Sequence, residues 1–237
     1  MKWENSMLRS WEKLPDYMKM EEVYPYYEIL KKRKISLFLK RGFDFIVSTV
    51  MFVILSPILL IISILIKLDS KGAVFYRQER VTQYGRKFKI FKFRTMIADA
   101  DKIGSQVTVQ NDSRVTKIGI FLRKYRLDEL PQLINIILGD MTFVGTRPES
   151  TYYVKHYTPE MFATLLLPAG VTSKASIRYK DEAELLDQAD DVDRVYVEKV
   201  LPGKMKYNLL SIKEFSFLRE IRTIFRTILA ILGKEYE

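Results

Sequence analysis

From Phe45 to Ile66 the chain carries no charged residue and is almost entirely Ile, Leu, Val, Phe and Met. No other stretch limits the fold so strongly. As a helix it is about 33 Å long, just enough for a bilayer core of roughly 30 Å. Ser56-Pro57 falls at its middle. Pro57 has no N–H, so the Val53 carbonyl loses its helical partner and a bend is expected there. The Ser56 side chain can partly re-satisfy the freed backbone, which hydrocarbon would leave unpaired. Lys31, Lys32, Arg33, Lys34, Lys40 and Arg41 lie upstream; Lys67, Lys71, Arg77 and Arg80 lie downstream. Positive loops stay on the cytoplasmic side. A helix that bends and returns satisfies both flanks, whereas a straight span satisfies one. These features leave a re-entrant helix and a proline-kinked span both open. A buried helix of a soluble domain fits less well, because so long a run lacks polar relief.

The remaining composition narrows the partners. The 237 residues carry a net charge of +10, which suits nucleic acid, anionic lipid or a phosphorylated substrate. There is room for one domain and a membrane element. The absence of Cys excludes disulfides and thiolate metal sites. The apolar run begins too deep for a cleavable signal peptide, so the anchor is expected to be retained.

Residues 1–34 mix Trp3, Trp11, Tyr17, Tyr24, Tyr26 and Tyr27 with charges, and Pro15 and Pro25 break the segment. An arm on the membrane surface and a loosely ordered tail are both compatible with this. Ala73–Tyr76 and Lys87–Phe93 read as strands joined by a turn at Gln83–Arg86. Alternation puts Lys87, Lys89, Phe91 and Phe93 on one face, with Phe88, Ile90 and Lys92 on the other. Ile97–Ile103 is helix-like and Gly104–Ser113 is loop-like. Leu127–Asp140 reads as one short helix, with Pro131 near its start, Gly139 at its end and an apolar face of Leu130, Leu133, Ile134, Ile137 and Leu138. Gly145–Pro148 is a turn, as is Pro168–Gly170. An acidic helix is expected over Asp181–Val200. Ser211–Leu232 is expected to form a basic amphipathic helix, suited to a membrane surface or to packing on the core.

Asp128 and Glu129 fall at the start of that short helix, just after Arg123, Lys124 and Arg126. The field of the cations and of the helix end favours an ionised carboxylate. Such a group can attack phosphorus or hold Mg²⁺. The plainer account has Asp128 capping the helix and Glu129 paired with Arg126 or facing water. Arg77, Arg80, Arg94, Arg114, Arg123 and Arg147 are candidates to converge on a diphosphate, against the plain alternative of scattered surface arginines. No Walker A loop and no Gly-x-Gly-x-x-Gly is present, and His156 is the single histidine, so neither a Ser-His-Asp nor a His-metal site can be built. No nucleic-acid recognition motif appears.

Lys40-Arg-Gly-Phe-Asp44, Ser56-Pro57, Tyr76-Arg-Gln-Glu-Arg80, Lys92-Phe-Arg-Thr-Met96, Leu127-Asp-Glu-Leu-Pro-Gln-Leu133, Gly139-Asp-Met141 and Arg147-Pro148 occur in that order. Over roughly residues 35–230 the chain resembles the bacterial sugar transferases, the monotopic polyprenol-phosphate phosphoglycosyl transferases, in a short form. The resemblance implies an α+β, mostly helical, membrane-associated domain with a re-entrant helix broken at Ser56 and Pro57, a small β-hairpin and interfacial amphipathic helices. It divides the chain into an N-terminal extension (1–34), the re-entrant helix (35–70) and a catalytic domain on the cytoplasmic face (71–237).

The implied reaction moves a sugar phosphate from a UDP-sugar to undecaprenyl phosphate and releases UMP. Asp128 is then the nucleophile and Glu129 its assistant, through Mg²⁺ or a proton. Arg123, Arg147, Lys92, Arg94 and Arg80 become candidates for phosphate, and Asp128 and Glu129 for Mg²⁺. The implied place is the bacterial plasma membrane, in surface glycan synthesis, with phospholipid and no nucleic acid as partners. A non-enzymatic basic membrane scaffold is the alternative. Neither the sugar nor the oligomeric state, a homodimer included, is readable. The chain departs from the family pattern at Thr82, where Gly is usual, at Thr146, where Pro is usual, and over Pro168–Ile177.

Overall fold

The computed structural model describes residues 8–97, 99–100, 112–179 and 191–231. Helix α1 (Tyr24–Lys31) leads into α2, which runs unbroken from Lys34 to Asp69. The break expected at Ser56 and Pro57 does not interrupt the helix: Pro57 lies inside α2, and the Ser56 hydroxyl donates to the Val53 carbonyl at 2.8 Å, which partly satisfies the group the proline frees. Much of α2 is bare: Ile54 is 67% exposed and Leu60 63%.

Both ends of α2 are nonetheless fastened to the same body. Near its start Lys40 donates to the Val144 carbonyl at 2.7 Å and pairs with Glu220. Arg41 donates to the carbonyls of Ile136 and Ile137 at 2.8 and 3.2 Å. Asp44 accepts from the Thr142 hydroxyl and from the Phe143 N–H. At the far end Ile62 and Ile66 pack with Phe93 and Leu122. There Arg94 donates to the Ser70 and Lys71 carbonyls at 2.6 and 2.9 Å.

The hairpin pairs β1 (Phe75–Val81) with β2 (Lys87–Phe93), antiparallel, from Phe75↔Phe93 to Val81↔Lys87. The first strand thus starts later than Ala73 and runs five residues beyond Tyr76, because every residue of β2 finds a partner. Phe88 and Ile90 join the Leu133–Ile136–Met141 cluster, while Phe93 on the opposite face is buried against α2. Covering both faces overrides the simple alternation.

The stretch expected as one helix over Leu127–Asp140 is two pieces. A tight turn spans Leu127–Glu129, and α4 spans Gln132–Leu138. Pro131 cannot donate back to the Leu127 carbonyl, which is met by the Leu130 N–H instead. Gly139 ends α4 in the left-handed conformation (φ 80°), and the Asp140 N–H reaches back to the Asn135 carbonyl at 2.9 Å. The buried face of α4 is Gln132, Leu133, Asn135 and Ile136; the expected member Leu138 is exposed. Asn135 turns this face inward by accepting from the Phe91 N–H at 2.8 Å and donating to the Lys89 carbonyl at 3.1 Å. Arg41 meanwhile holds the last carbonyls of α4, a role suited to a cation at a helix C-terminus.

After α3 (Lys117–Lys124) and α4 comes β3 (Met141–Val144), which pairs in parallel with β4 (Ala169–Thr172). Pro168–Gly170 therefore leads into a strand rather than forming a turn. A Cβ on Gly170 would lie 2.1 Å from the Gly145 nitrogen, so only glycine permits this approach. Thr82, one of the family departures, joins another: its hydroxyl donates to the Asp140 carbonyl at 2.7 Å and accepts from the Ala169 N–H at 3.1 Å.

Between β3 and β4 lies α5 (Thr151–Val154), and α6 (Lys174–Arg178) follows. The helix-like Ile97–Ile103 and the loop after it fall mostly outside the described residues, as does the first half of the expected acidic helix. The rest of that helix, α7 (Val192–Val195) and a wide turn to Val200, continues into α8 (Leu201–Lys213). The final expected helix divides: Ile212 and Phe215 join the core, and α9 (Phe217–Ile231) is separate. Several of its apolar residues stay outside, with Leu218 79% and Phe225 62% exposed. Ile120 and Phe121 on α3 are likewise exposed. Residues 8–31 are no loose arm. Leu14, Met18, Val23, Tyr26, Tyr27 and Leu30 are buried in one cluster with Leu166, Leu201 and Met205. Among the aromatics of this segment, Tyr26 and Tyr27 are buried in that cluster, while Tyr17 and Tyr24 stay exposed.

Candidate active site

The turn Leu127–Glu129 is entered through Arg126, whose φ of 53° is unusual for a residue with a side chain. This strained entry sets two adjacent carboxylates in different surroundings. Glu129 is gripped by two cations: Lys92 lies 3.0 Å away and Arg147 2.6 Å away, both on Oε1. Among the described residues it does not pair with Arg126, and its side chain is largely buried. Burial opposes its charge, but Arg147 and Lys92 prevail and hold it far below the usual carboxylate range. Asp128 accepts no hydrogen bond among the described residues. Burial pushes its carboxyl above the ordinary 3.8, against the pull of Lys92, Arg123 and Arg147. Glu129, rather than Asp128, is thus the carboxylate that the cations hold ionised most firmly. Nor does Asp128 cap α4, whose N-cap is Pro131. Burial also pulls the Lys92 ammonium down, countered by Glu129.

Asp128 opens on a cleft of about 350 Å³. Arg80, Lys92, Arg94, Arg114 and Arg123 line it, with Tyr76 and Phe75 on the hairpin side. Arg123 reaches it from the end of α3, its Nε donating to Thr95 Oγ1 at 2.9 Å. Arg80 comes from β1, beside Gln78. Arg94 lines the cleft, but its guanidinium is engaged on the end of α2. Arg114 is held by Asp112 and the Ala100 carbonyl. Arg147 stands on the other side of Glu129, and Arg77 lies apart, stacked over the Phe91 ring at 3.7 Å. His156 is exposed and lines none of these cavities; its Nδ1 lies 3.0 Å from the Tyr152 carbonyl.

A second cavity, of about 330 Å³, is mostly apolar. It lies between Met51 of α2, Leu133 and Ile136 of α4, and Ile224 and Ile228 of α9, with Arg126, Glu129 and Arg147 at its polar end. The acidic pair therefore sits between a basic cleft and an apolar groove. Sequence reasoning missed Gln132, Glu149, Tyr196 and Lys204, which line a further pocket behind Lys92. Only Gln132 carried a signal: it is the one polar residue of Leu130–Leu133 after the acidic pair.

Among the described residues no three His, Asp or Glu side chains gather as a metal site. Mg²⁺ commonly takes one or two carboxylates and completes its shell with phosphate oxygens and water. The Asp128 carboxylate, which accepts nothing from the described residues, fits that donor set. Glu129, whose Oε1 already meets two cations, fits it poorly.

Fold and site together define a mostly helical domain with bare apolar helices and an acidic pair set in a basic cleft. The chain belongs to the bacterial sugar transferase family, which it matches over residues 35–234. It is 35% identical over 199 residues to the UDP-N-acetylgalactosamine-undecaprenyl-phosphate N-acetylgalactosaminephosphotransferase of Aeromonas hydrophila, covering 82% of this chain and 44% of that protein. It is 35% identical over 195 residues to the UDP-glucose:undecaprenyl-phosphate glucose-1-phosphate transferase of Escherichia coli (strain K12), covering 80% and 39%. It is 34% identical over 209 residues to the exopolysaccharide production protein PSS of Rhizobium leguminosarum bv. phaseoli, covering 84% and 97%. The chain spans less than half the length of the first two and nearly all of the third.

Proposed function

We propose that this protein transfers a sugar phosphate from a UDP-sugar to undecaprenyl phosphate at the cytoplasmic face of the bacterial plasma membrane, in surface glycan synthesis. The observation that carries the reading is Asp128: a carboxylate that accepts no hydrogen bond among the described residues and opens on a cleft lined by arginines, while its neighbour Glu129 lies at the polar end of a groove walled by apolar helices. The cleft takes the donor diphosphate and the groove takes the lipid acceptor.

An Asp128 oxygen attacks the β-phosphorus of the donor. The bond from that phosphorus to the bridging oxygen breaks, and UMP leaves with the oxygen and its electron pair. An oxygen of the lipid phosphate then attacks the aspartyl phosphosugar, and the phosphorus–Asp128 bond breaks, returning the carboxylate. Arg123, Arg80 and Lys92 offset charge on the transferred group. Glu129 keeps Lys92 and Arg147 in place. Mg²⁺, held through Asp128 and donor phosphates, would supply further charge neutralisation.

For topology, α2 enters and leaves on one face. A straight span would carry its ends to opposite sides of a bilayer, yet Asp44 and Ile66 both pack on one domain. The test of the reaction is intact-protein mass spectrometry after mixing with UDP-sugar alone. A sugar-phosphate adduct is expected, absent in Asp128→Asn; turnover of donor and lipid with no adduct overturns the covalent route.

A further inference from the structure

Behind Lys92 lies the pocket of about 170 Å³, walled by Arg80, Lys92, Gln132, Arg147, Glu149 and Tyr196 among others. This is roughly ten times the space that one water needs. Arg80 and Lys92 also line the basic cleft, and Gln132 and Arg147 also line the apolar groove. The pocket is therefore the junction of the other two cavities. Its polar groups are mostly engaged within the protein: the Tyr196 hydroxyl donates to Glu149 at 2.7 Å, and Lys204 donates to the Tyr196 hydroxyl at 2.9 Å. Gln132 is the exception. It is 1% exposed, yet neither its amide nitrogen nor its amide oxygen has a partner among the described residues. Buried amides are paired almost without exception, so a group missing both partners points to a ligand that supplies them.

We propose that this pocket receives the glycosyl ring of the donor, with Gln132 hydrogen-bonding its ring substituents and discriminating among sugars. The inference rests on the donor reading given above. With the β-phosphate against Arg80 and Lys92, the nucleotide extends along the larger cleft and the sugar enters the neighbouring cavity. The apolar groove suits no polyol. The small pocket offers an amide with one donating and one accepting end, which match hydroxyls. The Glu149 carboxylate in its wall disfavours a second anion and accepts a neutral ring.

The test uses the full chain in nanodiscs with UDP-glucose, UDP-galactose, UDP-N-acetylglucosamine and UDP-N-acetylgalactosamine. Gln132→Leu and Gln132→Met are compared with the natural protein. Removing an unpaired amide from the ligand-free protein leaves Tm unchanged or raises it. The same changes lower kcat/KM for the preferred donor by about tenfold or more and flatten the ranking of donors. Inhibition by UMP, which lacks the sugar, stays within about twofold of its natural value. A lowered Tm with equal loss towards every donor and towards UMP assigns Gln132 a structural role and overturns the proposal. So does an unchanged donor ranking and kcat/KM in an active enzyme. If the natural protein releases UMP from none of the four donors, the reaction itself is wrongly read, and the pocket assignment falls with it.

Discussion

Arg147 donates to the Glu129 carboxylate at 2.6 Å, while the carboxylate of Asp128, one residue earlier, accepts nothing from the described residues. Two neighbours in sequence thus have opposite electrostatic fates. The cations hold Glu129 far below the usual range, and burial lifts Asp128 above its ordinary 3.8. Environments that push a pair apart in this way separate a reacting group from a supporting one.

Asp128→Asn is expected to reduce UMP release by about three orders of magnitude or more, the scale of a lost nucleophile. It should not destabilise the protein at neutral pH. A carboxyl raised in the folded state costs stability when ionised, and that cost disappears as pH falls through the raised value towards the ordinary 3.8. Tm of the variant should equal or exceed that of the natural protein at pH 7, and the difference should close at acid pH. In the natural enzyme, UMP release should fall on acidification at a pH above the ordinary 3.8. Thermal scans and a pH series of initial rates check both.

Glu129→Gln has the opposite sign. It leaves Lys92 and Arg147 facing each other without their shared anion, at an expected cost of about 3 kcal/mol. A carboxyl depressed in the folded state stabilises above its unfolded value, ordinarily 4.5, and this is lost as pH falls below it. The gap between variant and natural protein should be full at pH 7 and shrink below about 4.5. Chemical denaturation at several pH values measures it; a gap that stays constant to acid pH contradicts the paired carboxylate.

The absence of native cysteine makes topology directly readable. Lys32→Cys and Lys71→Cys flank α2 at exposed positions. A membrane-impermeant maleimide should label neither in intact cells and both after permeabilisation. Labelling of either one in intact cells rules out a helix that returns to the cytoplasmic face.

Leu30→Ala is expected to cost about 2–5 kcal/mol, the usual price of a fully buried leucine. Tyr17→Phe should cost about 1 kcal/mol, because the Tyr17 hydroxyl donates to the Tyr84 carbonyl at 2.9 Å in the strained hairpin turn. Denaturation midpoints measure both. An N-terminal segment that was a loose tail would show neither effect.

Some of this protein is written in local patterns. An uncharged run from Phe45 to Ile66 can only be a long apolar helix, Pro57 frees one known carbonyl, and Gly139 stops α4, because each rests on backbone geometry or on solvation over a few residues. The hairpin and the exposed apolar face near the end of the chain follow from the same short-range rules, whereas the helix expected to start at the acidic pair is divided by Pro131 and the last expected helix is divided before Phe217. What tertiary structure decided was which polar groups meet. Lys40, Arg41 and Asp44 clamp α2 to elements about a hundred residues away, such as Val144 and Thr142. Arg94 closes the end of α2, and Glu129 takes Lys92 and Arg147 as partners, while Asp128 takes none among the described residues. Charges act through space, and their pairing depends on distances that no local pattern encodes. The place of Tyr26 and Tyr27 is illegible in the sequence for the same reason: the cluster they join includes Leu166, Leu201 and Met205, more than a hundred residues along the chain.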